Sequence, residues 1–97
     1  MGKPVKAARW TEAMQTLFVL IKCELGATYR VAEELVDTFD EIRSVHSISG
    51  EYDLLARFDL EERADMGRFV TERVQSLAGI RDTFTLVALD AFPLGET

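Results

Sequence analysis

Cysteine is nearly absent from this chain: Cys23 stands alone among 97 residues, so neither an internal disulfide nor a cysteine cage for a metal can form. Histidine is equally scarce, with His46 alone, and both metal sites and Ser–His catalysis need further convergent partners. No apolar run approaches the ~18 residues that suggest a membrane-crossing helix, and no secretory signal pattern opens the chain. Cations are in the minority. Eleven Lys and Arg against 17 Asp and Glu leave a formal net charge of −6, with a pI near 4.7. A phosphate backbone asks for clustered Lys and Arg, and a peripheral membrane surface is itself anionic. The expectation is a cytoplasmic protein with no direct nucleic-acid partner and no membrane partner.

What remains is globular in composition, 47% hydrophobic and 29% charged, and long enough for one domain with one modest core. Residues 1–16 are basic and weakly patterned at their start (Lys3, Lys6, Arg9) and read as an N-terminal tail or extension, with Thr11 placed to cap a short helix. Trp10 in that tail suits packing against a neighbouring subunit. The domain proper runs over 17–92, and Pro93 and Gly95 mark a C-terminal tail over 93–97.

Within the domain, Leu17–Cys23 is apolar on both alternating faces, which predicts a strand buried on both faces. Cys23 at its end reads as a small buried hydrophobe, since no cationic neighbour in sequence lowers its pKa. After Gly26, with Thr28 as the cap, Ala32, Leu35, Val36 and Phe39 form the apolar stripe of a helix. Ile42–Ile48 returns as a strand carrying His46. Leu54, Ala56, Phe58 and Leu60 then alternate with Asp53, Leu55, Arg57 and Asp59, the pattern of a half-buried strand. Glu61–Asp65 opens a second helix with acids in its first turn. Met66, Phe69, Val70, Val74 and Leu77 are its buried stripe, and Gly79 its stop. Ile80–Ala91 is the last strand, with Phe84, Leu86 and Ala88 on one face and Thr83, Thr85, Val87 and Leu89 on the other.

The order β-α-β-β-α-β, with right-handed crossovers and a central hairpin, implies an α+β, ferredoxin-like antiparallel sheet with both helices on one face. The other face then carries the outer apolar positions of the first strand together with Val87 and Leu89. Apolar area at roughly 25 cal/mol per Å² should not stay open to water in a lone subunit. Two subunits are therefore expected to stack sheet against sheet.

The central hairpin turns at Ser49-Gly50-Glu51-Tyr52-Asp53. A turn needs only Gly, Asn or Asp to reverse the chain; this one also sets two carboxylates and a phenol side by side. Its plainest reading is a solvated turn, its functional one a ligand-binding corner.

The span Leu17–Phe92 resembles the effector-binding (RAM) domain of the Lrp/AsnC feast/famine transcriptional regulators. The marks are Ser-Gly-Glu-Tyr-Asp-Leu-Leu at 49–55, Val45 before it, and Gly79-Ile80-Arg81-Asp82-Thr83-Phe84-Thr85. The family's helix-turn-helix domain does not fit into residues 1–16, so the resemblance is to a stand-alone RAM domain. It implies homodimers of dimeric α/β-barrel type that assemble to octamers or decamers, with a small effector such as an amino acid bound where dimers meet. The pocket would be lined by the turn and by hydroxyls at the start of the last strand. The residue chemistry fits that implication. Gly50 admits a ligand close to the backbone, where turn N–H groups can hold a carboxylate. Glu51 and Asp53 accept from an ammonium group, Thr83 and Thr85 add neutral hydroxyls, and Tyr52 gives an apolar wall with a polar tip. Arg57 and Arg81 stand ready to neutralise the acids or to reach a carboxylate. No cofactor and no metal is expected, and full-length Lrp/AsnC regulators are the expected protein partners.

Other classes share this element order. An ACT-type regulatory domain also binds amino acids but fits the turn motif less well. A small enzyme on a dimeric ferredoxin-like barrel would use His46, Arg57 and Tyr52 inside one subunit's own cavity. The chain has no asparagine to orient a water in the acylphosphatase manner. An RNA-recognition module would want a basic sheet with paired aromatics.

Overall fold

The Leu54–Leu60 alternation is realised as β3 (Leu54–Glu61), with Leu54, Ala56, Phe58 and Leu60 buried and Leu55, Arg57 and Asp59 on the reverse side. The computed structural model describes residues 14–89. The predicted tail at 93–97, the Thr11 helix start, Trp10 and the predicted strand end at Ala91 lie outside the described residues. β3 pairs with β1 (Met14–Cys23) and with β2 (Ile42–Ser47), and β1 pairs on its other edge with β4 (Ile80–Ala88). All three pairings are antiparallel and the four-stranded order is β2-β3-β1-β4. With α1 (Thr28–Thr38) after β1 and a second helix after β3, this is the expected ferredoxin-like α+β fold.

One core sits between the helices and one sheet face. Leu17, Val19 and Ile21 of β1 are fully buried beside the inner residues of β3, under Val31 and Leu35 of α1 and Phe69, Val70 and Val74 of the second helix. Phe39, Phe58 and Phe69 form an edge-to-face triangle at its centre, with ring centroids 5.1–5.6 Å apart. Aromatic pairs of this geometry contribute about 0.5–1.5 kcal/mol each beyond the area they bury.

Both helices depart from the predicted boundaries. In α1 the buried row is Ala27, Val31 and Leu35, continued by Phe39, while Val36 is 56% exposed and Ala32 only partly covered. Apolar residues at 31, 32, 35 and 36 write two overlapping stripes a single residue (~100°) apart. Ala27 selects between them, because it packs beside Gly79 at the start of β4. Thr28 is the first helical residue; the cap position belongs to Ala27, which makes no side-chain hydrogen bond there. The second helix begins later than Glu61, which ends β3. It starts as α2 (Met66–Arg68), capped by Asp65 Oδ1 accepting from Arg68 N at 3.1 Å, and continues as a π-helical segment, Phe69–Val74. Phe69, Val70 and Val74 are buried as expected, with Met66 and Leu77 packed at their margin.

β4 reverses an expectation. Directly opposed residues share a sheet face. The pairs Leu17–Val87, Val19–Thr85 and Ile21–Thr83 turn Thr83, Thr85 and Val87 to the helix side, and Phe18–Leu86 and Leu20–Phe84 turn Phe84 and Leu86 to the open side. The open face thus carries Phe18, Leu20, Leu55, Phe84 and Leu86, the last two 51% and 45% exposed. Val87, expected there, lies on the helix side at the sheet edge. Both faces of β4 are apolar enough that alternation alone does not choose between them; pairing with β1 does.

Gly79 (φ +96°) closes the loop before β4, and a Cβ there would lie 2.9 Å from Arg30 Nη2 and 3.0 Å from Val31 Cγ2. Gly79→Ala is expected to cost about 1–3 kcal/mol, read by denaturant unfolding at fixed protein concentration. Gly26→Ala, at φ +79° with open space around it, should cost less. Equal losses would show that Gly79 does not guard the α1 contact.

Candidate functional site

The β2–β3 connection, residues 48–53, is tied down at its base by one residue. Asp53 N donates to Ile21 O at 2.9 Å, Asp53 O accepts from Ile48 N at 2.9 Å, and Asp53 Oδ2 accepts from Cys23 N at 2.8 Å. The carboxylate thereby bridges the hairpin to the end of β1, where the register with β4 shifts between Lys22 and Cys23. At the tip, Ser49 and Gly50 are exposed, and Gly50 holds φ +118° with no atom within 4 Å of where a Cβ would stand. Backbone conformation, and not crowding, demands glycine there.

Between this loop, the end of β1 and the start of β4 lies a cleft of about 220 Å³. Glu51 and Asp53 line it from the turn, Lys22 and Glu24 from β1 and the residue beyond, and Arg81 from β4. Among the described residues, none of Lys22, Glu24, Glu51 and Arg81 enters an ion pair. Two cations and two carboxylates are therefore held around one small space without neutralising each other directly. That arrangement suits a ligand carrying both signs of charge.

The remaining candidates are distributed around this cleft. Tyr52 leaves it for the open face, where its ring lies 6.4 Å from that of Phe84, with Lys22 Nζ 5.9 Å above it. Thr83 and Thr85 are on the helix side, and Thr83 Oγ1 accepts from Gln75 Nε2 at 2.7 Å. Arg57 lies on the open face, gripped by Asp59 through Nε at 3.2 Å and Nη2 at 3.3 Å. Lys22 and Glu24 escape a reading of the turn alone because they belong to another element. The signal for them is the strand order: a central β1 must end beside both the β2–β3 loop and the start of β4.

Catalytic alternatives find little here. Burial, and after it the Asp53 carboxylate, push the Cys23 thiol above the ordinary cysteine value, against opposing pulls from a Thr28 hydrogen bond and Arg30. A thiol so placed is a poor nucleophile. His46 and Arg57 share the open face with Tyr52, but no hydrogen bond joins any two of them among the described residues. No group of His, Cys, Asp and Glu among the described residues is arranged to hold a metal ion, and no helix there is long and apolar enough to cross a membrane. A larger cleft of about 390 Å³ opens at the other end of the sheet. Its charges are largely spent on each other, Arg73 with Glu41 at 3.0 Å and Arg43 with Asp59 at 3.5 Å.

Asp53→Ala would strand the Cys23 N–H and is expected to cost about 1–3 kcal/mol. Asp53→Asn keeps an acceptor and should lose markedly less. Matching losses in thermal and denaturant unfolding would mean that the carboxylate's charge, and not this hydrogen bond, secures the hairpin.

A family model described as the Lrp/AsnC ligand binding domain matches residues 16–93. A helix-turn-helix-type transcriptional regulator of Pyrococcus abyssi is 31% identical over 77 residues, which are 77% of this chain and 51% of the relative. The chain thus spans about half the length of the curated relatives it matches. A solved protein of Thermus thermophilus superposes with TM-score 0.73 at 32% identity, over 81% of this chain and 98% of its own. A transcriptional regulator of Neisseria meningitidis, solved in complex with L-Met, shares the fold at TM-score 0.70 and 16% identity, over 89% of this chain and 55% of its own.

Proposed function

The chain belongs to the family of Lrp/AsnC ligand-binding domains, and on that premise we propose that it is a non-catalytic sensing and assembly domain that takes a free amino acid at the hairpin corner. The observation that carries this reading is the small cleft at Glu51 and Asp53, ringed by opposite charges that do not pair with each other. A zwitterion offers a carboxylate to Lys22 or Arg81 and an ammonium group to Glu51, while the Gly50 turn gives backbone N–H groups at the rim. The Neisseria regulator's complex with L-Met lends weight to this ligand class. Ser49 and Gly50 stand at the tip of the same turn, and Tyr52, on the open face beside Phe84, belongs to the assembly surface. Thr83 and Thr85, which their own strand turns from the cleft, would have to contribute from a neighbouring copy.

The open face supports the assembly half of the proposal. Phe84 and Leu86 are about half exposed above Phe18, Leu20 and Leu55, and a second copy stacked on them removes that area from water. Dimers then join into octamers or decamers, with effectors where dimers meet. Acting in the cytoplasm, the protein modulates full-length regulators of its family through the same contacts. Its acidity speaks against touching DNA or membrane itself.

Sedimentation at micromolar concentration should give a dimer or larger species, and Phe84→Glu should weaken association by about a hundredfold or more in Kd. A monodisperse wild-type monomer refutes the assembly. Calorimetric titration with the twenty amino acids should show binding by at least one; absence of heat at millimolar ligand refutes the sensing. In gel shifts, the protein should change a full-length family regulator's affinity for DNA while shifting no DNA alone.

A further inference from the structure

The charges around the hairpin cleft are uneven, and the imbalance bears on which amino acids enter it. Three carboxylates, Glu24, Glu51 and Asp53, face two cations, Lys22 and Arg81. Arg30 does not line the cleft; it donates through Nη1 to Ala78 O at 3.4 Å. Lys22 is further drawn toward the Tyr52 ring at 5.9 Å. Asp53 spends Oδ2 on Cys23 N, but its negative charge remains in the cleft. An amino-acid head group is neutral overall and engages one cation and one carboxylate. What is left to meet the ligand's side chain is one cation and two carboxylates.

Resting on the amino-acid reading above, we propose that this cleft discriminates by side-chain charge, accepting neutral or cationic amino acids and rejecting acidic ones, with Glu24 as the discriminating residue. Glu24 stands just beyond the end of β1, lines the cleft and is exposed. In a cleft of about 220 Å³, below the ~300–1,000 Å³ of pockets for larger organic ligands, a side chain that enters lies close to these carboxylates. Discrimination of this kind comes from a repulsive element as much as from attraction. The chain's overall charge of −6 acts in the same direction at long range.

Isosteric pairs provide the test, since glutamine and glutamate, or asparagine and aspartate, differ in charge at nearly constant shape. Calorimetric titration of the full chain at low salt should show the amide member binding about tenfold tighter than the acid. The preference should shrink as ionic strength rises. Glu24→Gln should narrow the ratio toward unity. Glutamate binding as tightly as glutamine overturns the charge rule while leaving amino-acid binding intact. A ratio unmoved by Glu24→Gln overturns the assignment to Glu24. If no member of either pair binds while another amino acid does, the charge rule falls alone; if none of the twenty binds at millimolar concentration, the reading beneath it falls as well.

Discussion

Strand β1 must satisfy neighbours on both edges and both faces, and the rest of the molecule follows from how it does so. Its backbone is paired with β3 along one edge and β4 along the other. Its inner side chains, Leu17, Val19 and Ile21, are fully buried, and its outer ones, Phe18 and Leu20, form the middle of the open face. A strand of this kind cannot sit at a sheet edge without exposing apolar surface on two sides and unpaired backbone on a third. Placing it at the centre forces β4 outward and brings the hairpin loop to its C-terminal end. Pairing with β3 ends there at Ile21–Leu54, and pairing with β4 shifts register between Lys22 and Cys23. Asp53 takes over with a side-chain hydrogen bond to the Cys23 amide where the regular ladder ends.

Legibility in the sequence tracks how one-sided each element is. β3 is readable almost to the residue because its inner face is dry and its outer face carries Arg57 and Asp59. α1 is readable as a helix but not in its rotation. Val31 and Val36 compete for the core, and the contact that decides, Ala27 beside Gly79, joins segments remote in sequence. β4 is readable as a strand but not in its facing, since Phe84 and Val87 are equally apolar and only the register against β1 assigns them. The π-helical winding of Phe69–Val74 leaves no local mark: its apolar stripe is compatible with ordinary helix, and the wider i→i−5 bond from Gln75 N to Val70 O emerges only in three dimensions.

The candidate site divides in the same way. Glu51 and Asp53, close together in sequence, are legible because a turn displays its own chemistry. Lys22, Glu24 and Arg81 complete the cleft from elsewhere, and only topology gathers them. The two clefts differ in whether their charges pair. At the far end of the sheet Arg73 is held by Glu41 and lies over Phe39 and Phe69 at 5.0 and 5.1 Å, so its charge helps hold the helices to β2. At the hairpin end the opposite charges keep apart although they line one space. Exposed ion pairs contribute little to stability, so leaving such groups unpaired sacrifices little and leaves them open to a ligand.

The hairpin cleft and the open face adjoin at one side chain. Tyr52 belongs to the turn that forms the cleft, yet its ring lies beside Phe84 on the open face, with Lys22 between the two regions. In the proposed stacking, a second copy that covers Phe84 also covers Tyr52, and a ligand carboxylate that draws Lys22 inward removes the cation from over that ring. A ligand shifts an assembly equilibrium only by as much as it binds the two states differently. The Lys22–Tyr52–Phe84 row supplies a physical difference of that kind, because Lys22 can serve the ring or the ligand carboxylate but not both at full strength. On the proposed function, coupling between occupancy of the cleft and stacking of the sheets would need no movement of the core, only a change in which partner one lysine keeps.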